Sequence, residues 1–280
     1  MMGLSSCLAQ IVRSVLLLAV ILLPASMCSA AESASDKSVV LVHGAHLTAE
    51  SWREVSEALR IAGYKVLVVN LPGRGSDSRS AANVTLDSSA RALCAAIVDQ
   101  GPSLTFVAHS QGGAVVNHAL GLCSNVVVEK IIYLAAVAPL NDEKPFAMLS
   151  KADDEHYYRG VVYDEASGLM KIHNAPAFVS AFSSLSLEAN SAMGEAILQG
   201  SVDEPAAIGE GGVALDGERF AAIKKYYIYT RRDQIISPAT QQRIVQKLGP
   251  IETADLDSGH LPMLTQPRAV ADLVLVFLSR

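Results

Sequence analysis

Three residues in this chain have the types and the order that acyl-transfer chemistry needs. Ser110 stands in FVAHSQGGAVV (106–116), Asp233 in YTRRDQIIS (229–237) and His260 in DSGHLPM (257–263). A serine hydroxyl is a poor nucleophile until a base takes its proton. An imidazole can be that base, provided a carboxylate orients its far nitrogen. Asp255 and Asp257 are alternative carboxylates, but they lie too close to His260 in sequence to reach that nitrogen easily. An ester carbonyl under attack also develops negative charge on its oxygen, which two converging backbone N–H groups can hold. In LVHGAHLTAESW (41–52) the N–H of Ala45 can supply one of them, and the N–H of Gln111, directly after Ser110, the other. His46 and Leu261, neighbours of Ala45 and His260, are expected to line the substrate pocket.

These residues have to be delivered by the elements around them. Nearly all-apolar, β-branched runs at 38–42, 65–69, 104–108, 130–136, 225–230 and 251–256 read as strands covered on both faces. Helical patterns at 48–62, 85–100, 111–123, 238–248 and 267–279 alternate with them. That rhythm predicts an α/β fold, with a mainly parallel sheet of about six strands flanked by helices. Ser110 then falls at a sharp strand-to-helix turn, where small neighbours such as Gly112 relieve collisions and the helix dipole favours a developing anion. Ala108 occupies the first glycine position of G-x-S-x-G. Asp233 and His260 fall in loops at the C-terminal ends of the last two strands, where ligand chemistry gathers in such sheets. The interval 141–220 contains no strong strand pattern and is too long for one crossover. It reads as a helical cap inserted into a core of 31–140 and 221–280.

Composition narrows the ligand. The chain has 280 residues, 50% hydrophobic and 18% charged, with net charge −6 and no run of Lys or Arg. A nucleic acid or an anionic membrane surface is therefore not the expected partner; a small molecule is. Residues 1–30 have a basic residue, Arg13, an apolar run from Val15 to Leu23, and small residues around Ala30. This is the layout of a secretory signal, with an uncleaved anchor as the alternative. Periplasmic or secreted location is the expectation, without stable membrane insertion once the signal is removed. Cys94 and Cys123 remain outside that segment. On the helix limits above they are offset by about 6 Å along neighbouring axes, so two separate thiols are expected rather than a bridge. No metal-ligand spacing is present, and the chemistry above needs no cofactor.

The segments VLVHGAHLTAESWREV, AGYKVLVVNLPGRG, FVAHSQGGAVV, YYIYTRRDQIISPATQQRIV and DSGHLPMLTQPRAVADLVLVF together resemble the α/β-hydrolase superfamily. They are most similar to bacterial esterases related to the plant methylesterases and hydroxynitrile lyases. The likeness covers 38–139 and 219–280, and within the insertion only DEPAA (203–207). It implies Ser110 as nucleophile, His260 as base, Asp233 as its partner, and Ala45 with Gln111 as oxyanion hole. Related dehalogenases and epoxide hydrolases carry Asp where Ser110 stands. Lyases of this branch usually carry Lys after the histidine, where this chain has Leu261. The resemblance thus implies a carboxylesterase acting on small, neutral, moderately hydrophobic esters through an acyl-enzyme. The alternatives are a lyase-like or cofactor-free enzyme on the same scaffold, or a slow-turnover receptor.

Overall fold

A computed structural model describes residues 38–280 apart from 75–76, 78–79, 81–82 and 185–190. The expected signal segment lies outside the described residues. The six apolar runs become parallel strands: β1 (Ser38–Val42), β2 (Lys65–Val69), β3 (Leu104–His109), β4 (Val128–Leu134), β8 (Lys224–Thr230) and β9 (Glu252–Leu256), in the order β2-β1-β3-β4-β8-β9. Burial follows that order. Every residue of β1 and β3 is buried, whereas β2 and β9 at the edges are partly exposed.

The direction of each step across the sheet decides where the helices go. From β1 the chain steps outward to β2 through α1 (Arg53–Ile61), then returns past β1 to β3 through α2 (Leu86–Ile97). Crossovers between parallel strands are right-handed, so a reversal of direction puts α1 and α2 on opposite faces. After β3 the chain keeps its direction through α3 (Gly112–Leu122), which packs beside α2. The final helix, α11 (Pro267–Leu278), packs against α1. Adjacent strands β1 and β3 therefore send their following segments to opposite sides. That reversal opens a crevice at their C-terminal ends, where Ala45 and Ser110 lie.

One expectation gains detail and another needs correction. The interval 141–220 is mostly helical in its regular structure. It holds α4 (Lys151–Gly160), α5 (Ala175–Ser183), α6 (Ala192–Gln199) and α7 (Ala207–Glu210), but also an antiparallel sheet of β5 (Val161–Asp164), β6 (Leu169–Ile172) and β7 (Glu204–Pro205). These strands are four, four and two residues long, too short for a period-two pattern to register. Cys94 and Cys123 form a disulfide, with Cα atoms 5.5 Å apart. Helix α2 stops at Ile97 rather than near 100, which puts Cys94 close to its end. Cys123 has already left helical geometry, at φ −90 and ψ 70, so the axial offset inferred from ideal helices does not apply.

The remaining α-helices are α8 (Gly217–Ala222) before β8, α9 (Pro238–Leu248) after it, and α10 (Pro262–Thr265) after β9. No described helix is long and apolar enough to cross a membrane.

Candidate active site

Ser110 is the single residue between the end of β3 and Gln111, the N-cap of α3, and it adopts φ +53. This left-handed conformation is disfavoured for a residue with a side chain and persists only where its surroundings hold it. Here they do. The Ser110 N–H donates to Leu134 O at 3.2 Å, and its carbonyl accepts from Gly113 at 3.1 Å and Val137 at 3.2 Å. A Cβ at Gly112 would come 2.7 Å from His43 O, so the start of α3 could not sit this close to the first strand with any other residue. Gly44 is as restricted: a Cβ there would lie 2.6 Å from the Ser110 Cβ and 2.9 Å from His109 Nδ1.

The structure brings the three residues of the expected relay together. His260 Nε2 is 2.9 Å from Ser110 Oγ, and His260 Nδ1 is 2.7 Å from Asp233 Oδ2. All three are buried. A carboxylate only accepts, so Nδ1 carries the proton and Nε2 offers its lone pair to the serine hydroxyl. Asp233 is oriented by its own loop: Oδ1 accepts the N–H groups of Ile235 and Ile236 at 2.8 and 2.9 Å, and Oδ2 accepts Thr230 Oγ1–H at 2.8 Å. His109 Nε2–H donates to the main-chain carbonyl of His260 at 2.8 Å, with the two rings 4.7 Å apart. Burial holds His109 well below the ordinary histidine value, so it remains neutral beside the relay.

A cleft of about 230 Å³ opens on this relay. Its floor includes Ala45, Ser110, Gln111 and His260 from the core, and its walls include Phe146, Leu149, Tyr157 and Phe182 from the interval 141–220. Asp154 and Glu210 also line it. Burial, and then the neighbouring Asp153, push the Asp154 carboxyl up. Among the described residues, no protein group accepts a hydrogen bond from the backbone N–H of Ala45 or Gln111. A larger open groove of about 690 Å³ beside Phe220 and Tyr226 contains none of the relay residues.

Two expected pocket residues sit elsewhere. His46 does not line the cleft: at φ +59 its ring points into the protein, where Nδ1–H donates to Val202 O at 2.9 Å and Nε2 accepts from the Tyr157 hydroxyl at 2.7 Å. Burial lowers its pKa to about 4. Tyr157 stands between it and the cleft. Leu261 is also turned away, buried in the core at the start of α10.

Sequence reasoning missed the wall residues, because their order in the insertion shows no period. It also missed the ion pair between Arg74 of LPGRG and Glu204 of DEPAA, which are fully buried together. Burial pushes the Glu204 carboxyl up, and the guanidinium beside it opposes that shift. Nothing local signals a partner 130 residues away. Among the described residues, no three His, Cys, Asp or Glu side chains are grouped to hold a metal ion.

Comparison with known proteins places the chain in a family. Residues 39–273 match the alpha/beta hydrolase family, and the chain belongs to it. Polyneuridine aldehyde esterase of Rauvolfia serpentina is 25% identical over 272 residues, 89% of this chain and 98% of its own. Methylesterase 10 of Arabidopsis thaliana is 22% identical over 246 residues, 84% of this chain and 89% of its own. An extracellular alpha/beta-hydrolase from a Paenibacillus species superposes with a TM-score of 0.73 at 22% identity, covering 85% of this chain and 97% of that one, which shows a shared fold. Within the family, the chain is a hydrolase of the carboxylesterase type.

Proposed function

We propose that the protein hydrolyses small, neutral, moderately hydrophobic carboxylic esters through an acyl-enzyme on Ser110. The observation that carries this reading is the unbroken hydrogen-bonded line Asp233–His260–Ser110 ending in the cleft. His260 Nε2 takes the hydroxyl proton as Ser110 Oγ bonds to the ester carbon. The carbonyl oxygen becomes an oxyanion, held by the N–H groups of Ala45 and Gln111; such donors contribute about 3–4 kcal/mol each where they have been removed by mutation. His260 then protonates the departing alkoxide, and the alcohol leaves. Water, deprotonated by the same nitrogen, attacks the acyl-enzyme and releases the acid. Asp233 keeps Nδ1 protonated throughout and stabilises the transient imidazolium.

The substrate class rests on the cleft lining. Its walls are mostly aromatic and aliphatic, and the carboxyl groups among its lining residues are those of Asp154 and Glu210. A carboxylate-bearing substrate meets like charge there, whereas a neutral ester buries apolar surface. Export to the periplasm or medium belongs to the same proposal. The Cys94–Cys123 bridge supports it, because disulfides persist in oxidising compartments.

The test is a panel of aryl acetates, methyl esters and short acyl esters, with mandelonitrile as the lyase substrate. Fast cleavage of aryl acetates by the wild type, abolished in Ser110→Ala, is expected. Cyanide release that depends on Ser110 while every ester stays intact would replace hydrolysis with lyase chemistry.

A further inference from the structure

The Ala45 N–H lies in the planar Gly44–Ala45 peptide unit, which the two backbone dihedrals of Ala45 join to the next unit, Ala45–His46; these two units are held from different parts of the chain. The first, Gly44–Ala45, is held by the core. His43 Nδ1–H donates to Gly44 O at 2.9 Å, and the same ring's Nε2 accepts the Leu71 N–H at 3.1 Å, which fixes that tautomer. The unit after it, Ala45–His46, is held by the insertion: the His46 N–H donates to Glu204 Oε2 at 3.1 Å. His46 has φ +59, a conformation its own backbone disfavours. Left alone, this turn would relax.

Glu204 is placed in turn by Arg74, whose Nη2 bonds Glu204 Oε1 while Nη1 donates to Pro72 O at 3.0 Å. Glu204, Arg74 and His46 are buried together. A buried ion pair seldom adds stability over an apolar pair of similar volume, because desolvation offsets the attraction. Stability is thus a poor account of this one, but its second carboxylate oxygen has a definite occupation at His46. The segment just before Glu204 adds two more bonds to the same residue, Val202 N–H to His46 O at 2.9 Å and His46 Nδ1–H to Val202 O at 2.9 Å.

We propose that Glu204 is a positioning residue for the oxyanion hole: by holding the Ala45–His46 peptide unit it restrains the Ala45 dihedrals, and with the His43 bond to Gly44 O this keeps the Ala45 N–H facing the reacting carbonyl. This rests on the oxyanion role given to Ala45 above. Because the oxyanion exists only on the way to and from the tetrahedral intermediate, loss of Glu204 acts on kcat rather than KM.

The test compares Glu204→Gln with Glu204→Leu, each combined with Arg74→Met so that no unpaired charge is buried. Gln keeps an acceptor for the His46 N–H; Leu does not. Turnover of an aryl acetate and affinity for a trifluoromethyl ketone, which forms an oxyanion on the serine, are measured for both. The Leu variant is expected to lose fivefold or more in kcat and in ketone affinity, with KM within twofold of wild type. The Gln variant should recover most of that loss. A smaller loss in the Leu variant, an equal loss in both, or a loss carried by KM overturns the proposal. Should the Leu variant fail to fold, Glu204→Asp in the Arg74 background takes its place under the same thresholds, since one methylene fewer withdraws the acceptor but keeps the charge pair. Ser110→Ala is run alongside: full turnover there refutes the hydrolase mechanism itself, whereas an inactive Ser110→Ala with an unaffected Leu variant refutes only the role of Glu204.

Discussion

The two sides of the cleft are built in different ways. On the core side, the reacting groups are held by backbone N–H and C=O groups: Ser110 by bonds to β4 and the segment after it, Asp233 by the N–H groups two and three residues ahead. On the insertion side, residues are fixed by long-range side-chain bonds. Asp153 at the start of α4 accepts from the Ser237 N–H and the Thr240 hydroxyl, and Tyr157, Val202 and Glu204 all converge on His46. The contrast teaches that the reaction centre is carried by the backbone of the core, whereas the wall over it is fastened by side chains at separate points. Damage to the first should remove chemistry, and damage to the second should degrade it by degrees.

The largest effect tests the core side. Ser110→Ala and His260→Ala should each lower kcat by about 10⁴- to 10⁶-fold, with little further loss in the double variant because the groups act as one unit. Asp233→Asn should cost somewhat less. Purified variants assayed on an aryl acetate check this, and additive losses would break the picture of a single relay.

Acid should act next. His43 and His46 are lowered by burial to about 3 and about 4, while in the unfolded chain they titrate near the ordinary 6.5. The unfolded state therefore binds more protons between those limits. Stability is fully present above about pH 6.5 and falls as pH drops toward the native values, by up to about 1.4 kcal/mol per pH unit for each group. Thermal melts at pH 7 and pH 5 should show a clear drop in Tm; equal melting points would mean these rings are not held neutral.

A smaller change concerns the bridge. Replacing both Cys94 and Cys123 by Ser should lower unfolding stability by about 3.6 kcal/mol, given a sequence separation of 29 residues, and leave kcat near wild type at 25 °C. Urea unfolding checks the first half. Rapid alkylation of either thiol in unreduced protein would deny the bridge altogether.

The smallest expected effect lies on the insertion side. Tyr157→Phe removes the one proton donated to His46 Nε2 inside the protein and should cost about 1 kcal/mol of stability with a few-fold change in kcat/KM. A loss as large as that of Ser110→Ala would erase the distinction between the two sides.

How much of this could be read in advance follows the same division. The parallel strands were legible because burial on both faces leaves continuous apolar runs, and the helices α9 and α11 begin at Pro238 and Pro267, where proline suits a first turn. Ser110, Asp233 and His260 were legible because each follows a strand end. The β5–β7 sheet was not, since its strands are shorter than the pattern that reveals them. The direction of the His46 side chain depends on one backbone angle, which neighbours in space impose. The Cys94–Cys123 pairing turned on where α2 stops, a matter of two or three residues that helical periodicity does not settle.

The contact between Gly44 and Ser110 has a consequence for anyone reshaping this catalyst by directed evolution. A substitution at Gly44 has nowhere to go, with the Ser110 Cβ at 2.6 Å from the added atom, so a saturation library there yields mostly inactive clones. Phe146, Leu149, Ile235 and Ile236 face the same cleft; the first two touch neither the relay nor His46, and the isoleucines hold Asp233 through backbone N–H groups that any side chain but proline preserves. Screening effort directed to those four positions, with the turn at 43–46 left unmutated, explores substrate range while the reacting geometry is inherited intact.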